Sequence, residues 1–462
     1  MPVSRLIVTF AISAFACLIF SCQDTIAVKQ SSLRLPVYTV HASGKNQPGY
    51  YFFSAFKMRA QEKKTPEMQF IMDENGNLVY YNPNSSVTDF KILPDGRISC
   101  YENGKIFLFD KSLHKTDSLS CVNGAETDPH DFTVLPNGHY LMIGARTEEE
   151  DLSKLFLFTK EKIAGSKKAK VKYGVIQEFD AQKNLVYEWN SRPWFKIENM
   201  DPFVLRDSAK VDLTHFNSVE PLADGNFIVS ARYSNEIVKV NREDGSIIWR
   251  LGGRLNQFHF SGDTVPFIGQ HDARILPNGH LTLFDNGYDD RTNKHNARAL
   301  EYEIDEKNKT AKLAWSYTWP GELVSESTGN MQRLANGNTL VNFGQILDFT
   351  SCTMFTVVDP NGRSVFDLTF ADTLGTYRAF FYPGEPLRLP RPQVSCKWEN
   401  EGFRLGVNCN DSCCWSTGES TNSILVTKPG TYYVLVPFLS GGYIGSVPVA
   451  ITAEMMRRKS LE

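Results

Sequence analysis

A pair of β-hairpins recurs through most of this chain and limits its fold more than any other feature. The first hairpin of each pair is an apolar run, a turn of the form Leu-x-Asn/Asp-Gly, and a second apolar run. Its turns are Leu93-Pro94-Asp95-Gly96, Leu135-Pro136-Asn137-Gly138, Leu222-Ala223-Asp224-Gly225, Leu276-Pro277-Asn278-Gly279 and Leu334-Ala335-Asn336-Gly337. The second hairpin reads apolar run, Asp or Asn, turn, apolar run. It begins at Phe70-Ile71-Met72-Asp73, Ile106-Phe107-Leu108-Phe109-Asp110, Glu178-Phe179-Asp180, Val238-Lys239-Val240-Asn241, Tyr302-Glu303-Ile304-Asp305 and Thr356-Val357-Val358-Asp359. Asn-Gly between apolar runs predicts a type I′ turn, whose two central residues both need positive φ.

Two hairpins make four antiparallel strands, the content of one propeller blade. One partial opening unit and five clear ones predict an all-β, six-bladed β-propeller over residues 48–383. Successive turn glycines are 42, 87, 54 and 58 residues apart. The interval of 87 holds one second-type hairpin only, plus a basic loop (Lys160 to Lys172) and an insertion (Ser191 to Asp212), so it hides no further blade. A sandwich of unrelated hairpins would not repeat this grammar.

The ends read differently. Arg5 and the apolar run Leu6 to Phe20 form a signal segment too short to span a bilayer, ending at the lipobox-like Ile19-Phe20-Ser21-Cys22. This predicts a signal peptide over 1–22, lipidation and membrane anchoring at Cys22, a linker over 23–47, and an exported outer-membrane lipoprotein, periplasmic or surface-facing. Export permits disulfides among Cys100, Cys121, Cys352, Cys396, Cys409, Cys413 and Cys414. Prolines 383, 386, 390 and 392 mark a second linker, and short strands after it predict a small immunoglobulin-like sandwich over 384–454, with a tail over 455–462. A net charge of −3 over 462 residues leaves no basic field for nucleic acid. No CxxC pair recurs at zinc spacing, which argues against a structural zinc, and the site is assigned neither a metal nor a cofactor. The assembly state stays open, a homodimer included.

Aligned on their turn glycines, the first hairpins carry Thr88, His130, Asn217, His271 and Gly329 eight residues upstream, followed by Asp89, Asp131, Ser218, Asp272 and Asn330. First strands of a propeller line its channel, so these positions converge. His215, two residues before Asn217, is expected on the same face of an extended strand. Arg232 lies on the strand pairing with it, and Thr328 lies just upstream of Gly329. Several imidazoles, an amide and a guanidinium suit a tetrahedral oxyanion such as sulfate or phosphate: donors hold its oxygens while one imidazole attacks or moves a proton. His41, His114, His139, His259, His280 and His295 fall outside the register and read as surface or structural residues.

With Pro129-His130-Asp131, His215-Phe216-Asn217-Ser218, Arg232, Leu251-Gly252-Gly253, Gln270-His271-Asp272 and Asp285-Asn286-Gly287, the chain resembles the bacterial arylsulfotransferases, exported six-bladed propellers that work without the nucleotide sulfate donor. The resemblance spans roughly residues 48–383. It implies an aryl sulfate donor, a phenolic acceptor and a sulfohistidine at His271. His130, His215 and Arg232 would be catalytic partners, with Asn217, Thr328 and Asp272 binding substrate. His215 and His130 are both candidates for the general acid/base. Two other functions compete: a metal-dependent hydrolase or lyase using the channel histidines, and a non-catalytic, ligand-binding propeller lipoprotein.

Overall fold

The computed structural model describes residues 37–43, 47–57, 67–85, 87–155, 165–200, 209–288, 295–346, 353–371, 374–409, 413–438 and 441–459. The signal segment, Cys22 and Cys352 lie outside them.

The hairpin pairs fold as six antiparallel sheets in chain order. Sheet two is Val87–Ile92, Ile98–Glu102, Lys105–Phe109 and Lys115–Leu119. Sheet three is Glu126–Val134, Tyr140–Glu150, Ala169–Phe179 and Leu185–Asn190, and sheet four is Phe216–Pro221, Phe227–Ala231, Glu236–Val240 and Ile247–Gly252. Sheet five is His271–Ile275, Leu281–Asp285, Arg298–Asp305 and Thr310–Thr318, and sheet six begins Asn330–Arg333, Thr339–Asn342, Thr353–Val358 and Ser364–Phe370. Each innermost strand touches the innermost strand of the next sheet in this order.

The partial opening unit is completed from the other end of the chain. Sheet one runs Gly49–Lys57, Glu67–Asp73, Leu78–Ser85, and its innermost strand is Leu374–Pro383, paired antiparallel to Gly49–Lys57. That strand also touches the innermost strands of sheets two and six, which closes the circuit. A second closure runs the opposite way. Tyr38–Ala42, within the stretch read as a linker, adds an outer strand to Ser364–Phe370 of sheet six. The result is an all-β, propeller-like arrangement in which both ends of the repeat region are bonded into sheets begun elsewhere.

Patterning explains the layers. Middle strands such as Phe227–Ala231 and Glu236–Val240 are buried at every residue, because neighbouring sheets cover both faces. Outer strands such as Thr310–Thr318 alternate between buried and solvent-facing residues. The turns differ from the type I′ expectation. Only the glycines take positive φ, +83° at Gly96, +80° at Gly138 and +83° at Gly279, and the preceding Asn or Asp does not. Each glycine N–H donates to the leucine carbonyl three residues back, as Gly279 does to Leu276 at 2.8 Å. This is a type I turn followed by a left-handed glycine. In the three Pro-containing turns, a type I′ turn centred on Asn/Asp-Gly would need a flanking backbone N–H that Pro lacks, whereas a φ of about −65° suits the first central position of a type I turn.

The C-terminal strands are not detached from the rest. Tyr443–Gly445 pairs with Leu78–Ser85, and Val434–Pro437 and Cys414–Trp415 continue outward, making sheet one seven-stranded. Tyr433, Leu435 and Cys414 share a core with Tyr38, Val40 and Leu78. A three-stranded sheet (Val394–Glu399, Gly402–Val407, Ser423–Val426), a strand pair (Gly430–Tyr432, Val449–Ile451) and the helix Ala453–Lys459 complete the region.

Where the inner strands meet, their charges are buried. Arg378, on the closing strand, donates to Asp89 at 2.9 Å, Asp131 at 3.2 Å and the Asn217 carbonyl at 2.6 Å, and lies 3.2 Å from Asp272. Lys91 bridges Asp89 and Asp131, and Arg274 bridges Asp131, Asp272 and Glu220. Asp272 thus serves this buried ion network. Removing one partner of a buried pair typically costs about 3–5 kcal/mol, because the charge left behind stays desolvated. Arg378→Met should therefore lower unfolding free energy by about that amount, read from the denaturant midpoint at unchanged m-value. A change below about 1 kcal/mol would show that the network does not hold the ring.

Candidate functional site

The strands that carry the histidines are irregular where they carry them. Pairing slips between His271 and Arg274, so two residues, Asp272 and Ala273, oppose the single residue Leu283 on Leu281–Asp285. Asp272 takes φ +56° in this bulge, turning its carboxylate to the ion network while His271 faces its own partners. Bulges commonly re-aim side chains beside active sites. His215 has φ +47° and precedes the strand that begins at Phe216. Simple alternation therefore fails between His215 and Asn217. His215 packs against His130, with ring centroids 4.8 Å apart, while the Asn217 amide donates to the Gln270 carbonyl at 2.7 Å.

The hydrogen bonds of His271 assign its tautomer. Asn286 Nδ2 donates to the Thr328 carbonyl at 2.9 Å and to Ser325 Oγ at 2.8 Å. A carbonyl only accepts, so the amide nitrogen must point there and Asn286 Oδ1 must face His271. That oxygen lies 2.7 Å from His271 Nδ1, and the Gly269 carbonyl lies 2.9 Å from the same nitrogen. Two acceptors require that Nδ1 carry the proton. Nε2 is then a lone pair, and the Thr328 backbone N–H donates to it at 3.2 Å. Thr328 itself sits at φ +63°, an uncommon conformation for a β-branched residue. Its Oγ1 donates to the Ser327 and Thr376 carbonyls, which hold it there.

The other two histidines are oriented by carboxylates. Asp128 accepts from the His130 ring Nδ1 and its backbone N–H, and Asp212 accepts from the His215 ring at 2.9 Å and its backbone N–H at 3.1 Å. Tyr377 packs against His130 and donates to its carbonyl at 2.7 Å, and Tyr233 packs against His215. Arg232 begins a short 3-10 turn at the end of Phe227–Ala231 and donates to the Glu326 carbonyl at 2.8 Å. Burial, then the Arg232 charge and those of His130 and His215, hold the His271 imidazole well below the ordinary value, against the Asn286 bond that raises it. Burial likewise lowers His215, helped by His130 and Arg232 and opposed by Asp212.

The structure thus brings His130, His215, His271, Arg232 and Thr328 into one neighbourhood. Asn217 and Asp272 lie just beneath, tied to backbone and ions. Asp128, Asp212, Tyr377 and Arg378 were missed in the sequence, and Asn286 was noted there only as part of Asp285-Asn286-Gly287, with no role. Asp128 could have been found, standing two residues before His130 on the same strand face. Tyr377 and Arg378 could not, because no turn glycine follows them to set the register. Of the remaining histidines, His139, His280 and His295 pair with Glu178, Glu301 and Asp285. Among the described residues, no group of three His, Cys, Asp or Glu side chains is disposed to hold a metal ion.

The arylsulfotransferase (ASST) family model matches residues 36–378. No curated protein is matched. Similar solved structures include a protein of unknown function from Bacteroides caccae, 10% identical, covering 72% of this chain and 98% of that one at a TM-score of 0.45. A catalytically inactive virginiamycin B lyase from Staphylococcus aureus is 10% identical, covering 80% and 96% at 0.36. A periplasmic gluconolactonase from Pseudomonas aeruginosa is 11% identical, covering 72% and 99% at 0.37.

A pH dependence follows from the two depressed imidazoles. Their stabilising contribution is fully present above the unfolded value near 6.5 and is lost as pH falls from there toward their folded values, since the unfolded chain binds the protons first. Each should steepen the acid loss of unfolding free energy by about 1.4 kcal/mol per pH unit in that window. His271→Gln should remove its share in denaturation measured between pH 7.5 and 5. An unchanged slope would contradict the buried, neutral His271.

Proposed function

Because the chain belongs to the arylsulfotransferase family, we propose that it moves a sulfuryl group from a phenolic sulfate ester to a phenol through a sulfohistidine at His271, without the nucleotide sulfate donor. The observation that carries this reading is the tautomer of His271: Nδ1–H is held by two acceptors, and the Nε2 lone pair is presented by a buried, neutral ring. A neutral imidazole is a nucleophile and an imidazolium is not.

In the first half-reaction, Nε2 attacks sulfur and the bond between sulfur and the aryl oxygen breaks. The departing phenolate takes a proton from the Nε2 of His130 or His215. As positive charge develops on the sulfonated ring, its Nδ1–H binds the Asn286 and Gly269 oxygens more strongly. In the second half-reaction, the acceptor phenol returns a proton to that imidazole and its oxygen attacks sulfur, so the N–S bond breaks and His271 is restored. Arg232 and the Thr328 N–H, now bonded to Nε2, supply donors for the sulfuryl oxygens. Asn217 and Asp272 support this layer from below.

In this reading the six sheets are six blades of one propeller. The C-terminal strands are an immunoglobulin-like module fused to the first blade, and Cys22 carries a lipid that anchors an exported protein.

Intact mass after brief exposure to an aryl sulfate should show a covalent sulfuryl adduct that maps to His271 and disappears when phenol is added. Turnover persisting in His271→Ala would remove His271 as nucleophile. Asn286→Ala should keep the fold and lower kcat by about 10–100-fold, because the ring loses the acceptor that sets its tautomer. An unchanged kcat would leave the Gly269 carbonyl as sufficient.

A further inference from the structure

The two anomalies of the long repeat interval, the basic stretch ending at Lys172 and the insertion ending at Asp212, meet in the fold. Lys172 is on the strand Ala169–Phe179, and the insertion returns as the short strand Lys210–Asp212, paired in parallel with Lys172 opposite Asp212. Lys172 Nζ lies 3.4 Å from Asp128 Oδ2 and 3.9 Å from Asp212 Oδ2. These carboxylates orient His130 and His215, whose rings meet edge to face.

We propose that Lys172 is a positioning residue that joins the His130–Asp128 and His215–Asp212 pairs into one unit holding a single exchangeable proton beside His271. The use of that proton rests on the sulfuryl-transfer reading, but the existence of the unit does not.

Charge decides the occupancy. Two carboxylates and one ammonium leave one negative charge when both imidazoles are neutral. One proton, on either ring, balances it. A second would place two imidazolium rings with centroids 4.8 Å apart. Burial alone would raise both carboxylates and lower the lysine. The opposite charges win: Asp128 and Asp212 fall below the usual carboxylate range and Lys172 rises, so all three stay ionised. Glu126 and Tyr101 also face Lys172, Cys121 faces Asp128, Arg232 and Tyr233 face His215, and Tyr377 faces His130. Lys172 is the cation that contacts both carboxylates. The shared proton is the one the departing phenolate takes and the acceptor phenol returns, so one unit serves both half-reactions.

The test is a titration of the full chain labelled with 15N-histidine, followed by NMR. In Lys172→Met the unit loses its positive charge. The midpoints of His130 and His215 should then rise together by about one pH unit, and the imidazole limb of the kcat profile with an aryl sulfate should move up equally. Lys172→Arg should restore both midpoints. Unmoved midpoints in a folded Lys172→Met, or movement of one histidine only, would overturn the proposal. If Lys172→Met fails to fold, Asp212→Asn is read instead. It should lower the midpoint of His130, which bonds to Asp128 rather than to Asp212, and an unmoved His130 would overturn the coupling. Paired NMR shifts in a protein that never turns over aryl sulfate would sink the sulfuryl-transfer reading and leave the unit standing.

Discussion

Arg378 holds together what the repeat alone cannot. Its guanidinium is buried where the inner strands converge, and it contacts Asp89 of sheet two, Asp131 of sheet three, the Asn217 carbonyl of sheet four and Asp272 of sheet five. It comes from the strand that completes sheet one, so the last inner strand to join the circuit brings the charge the others need. Burying three carboxylates without it would be prohibitive, because each ion costs several kcal/mol to desolvate when unpaired. Lys91 and Arg274 supply the rest. Glu220, at the margin and paired with Arg274, is pushed upward by burial. Burial of this kind yields little net stability over a well-packed apolar core. What it supplies here is a fixed arrangement, since few placements of the six strands satisfy every ion.

That rigidity reaches the site because two carboxylates of the network are chain neighbours of site histidines. Asp131 follows His130, and Asp272 follows His271 across a bulge. A residue held by two or three ion pairs leaves its neighbour little freedom, so the network sets the depth and direction of the imidazoles above it. The chemistry is then set by weaker, local partners. An amide and a carbonyl fix the tautomer of His271, while carboxylates orient His130 and His215. The contrast has a reason. An amide leaves the ring neutral and nucleophilic, whereas a carboxylate favours the protonated ring and suits proton transfer.

The histidine register was legible because the hairpin pairs repeat and the turn glycine marks a constant position. The same marker misled on turn type, where Pro lacks the backbone N–H that a type I′ turn centred on Asn-Gly needs beside it and instead suits the first central position of a type I turn. It also failed for His215, whose left-handed backbone breaks the alternation that would put it beside Asn217. Tyr377 and Arg378 stayed hidden because their strand pairs with Gly49–Lys57, far earlier in the chain. The pairing of Lys172 with Asp212 was hidden in another way, as both lie at the ends of segments that looked like interruptions of the repeat.

By itself the sequence determined the all-β class, the repeated hairpin pairs and the histidines at their aligned positions, since alternation, turn chemistry and a repeat are local properties of the chain. Only the tertiary structure decided how the circuit of inner strands closes, which ions lie buried between them, which nitrogen of His271 carries the proton and which carboxylate serves which imidazole. Those depend on groups tens to hundreds of residues apart being buried together. There, an unpaired charge or an unsatisfied polar atom costs enough to select one arrangement from many that the local pattern would allow.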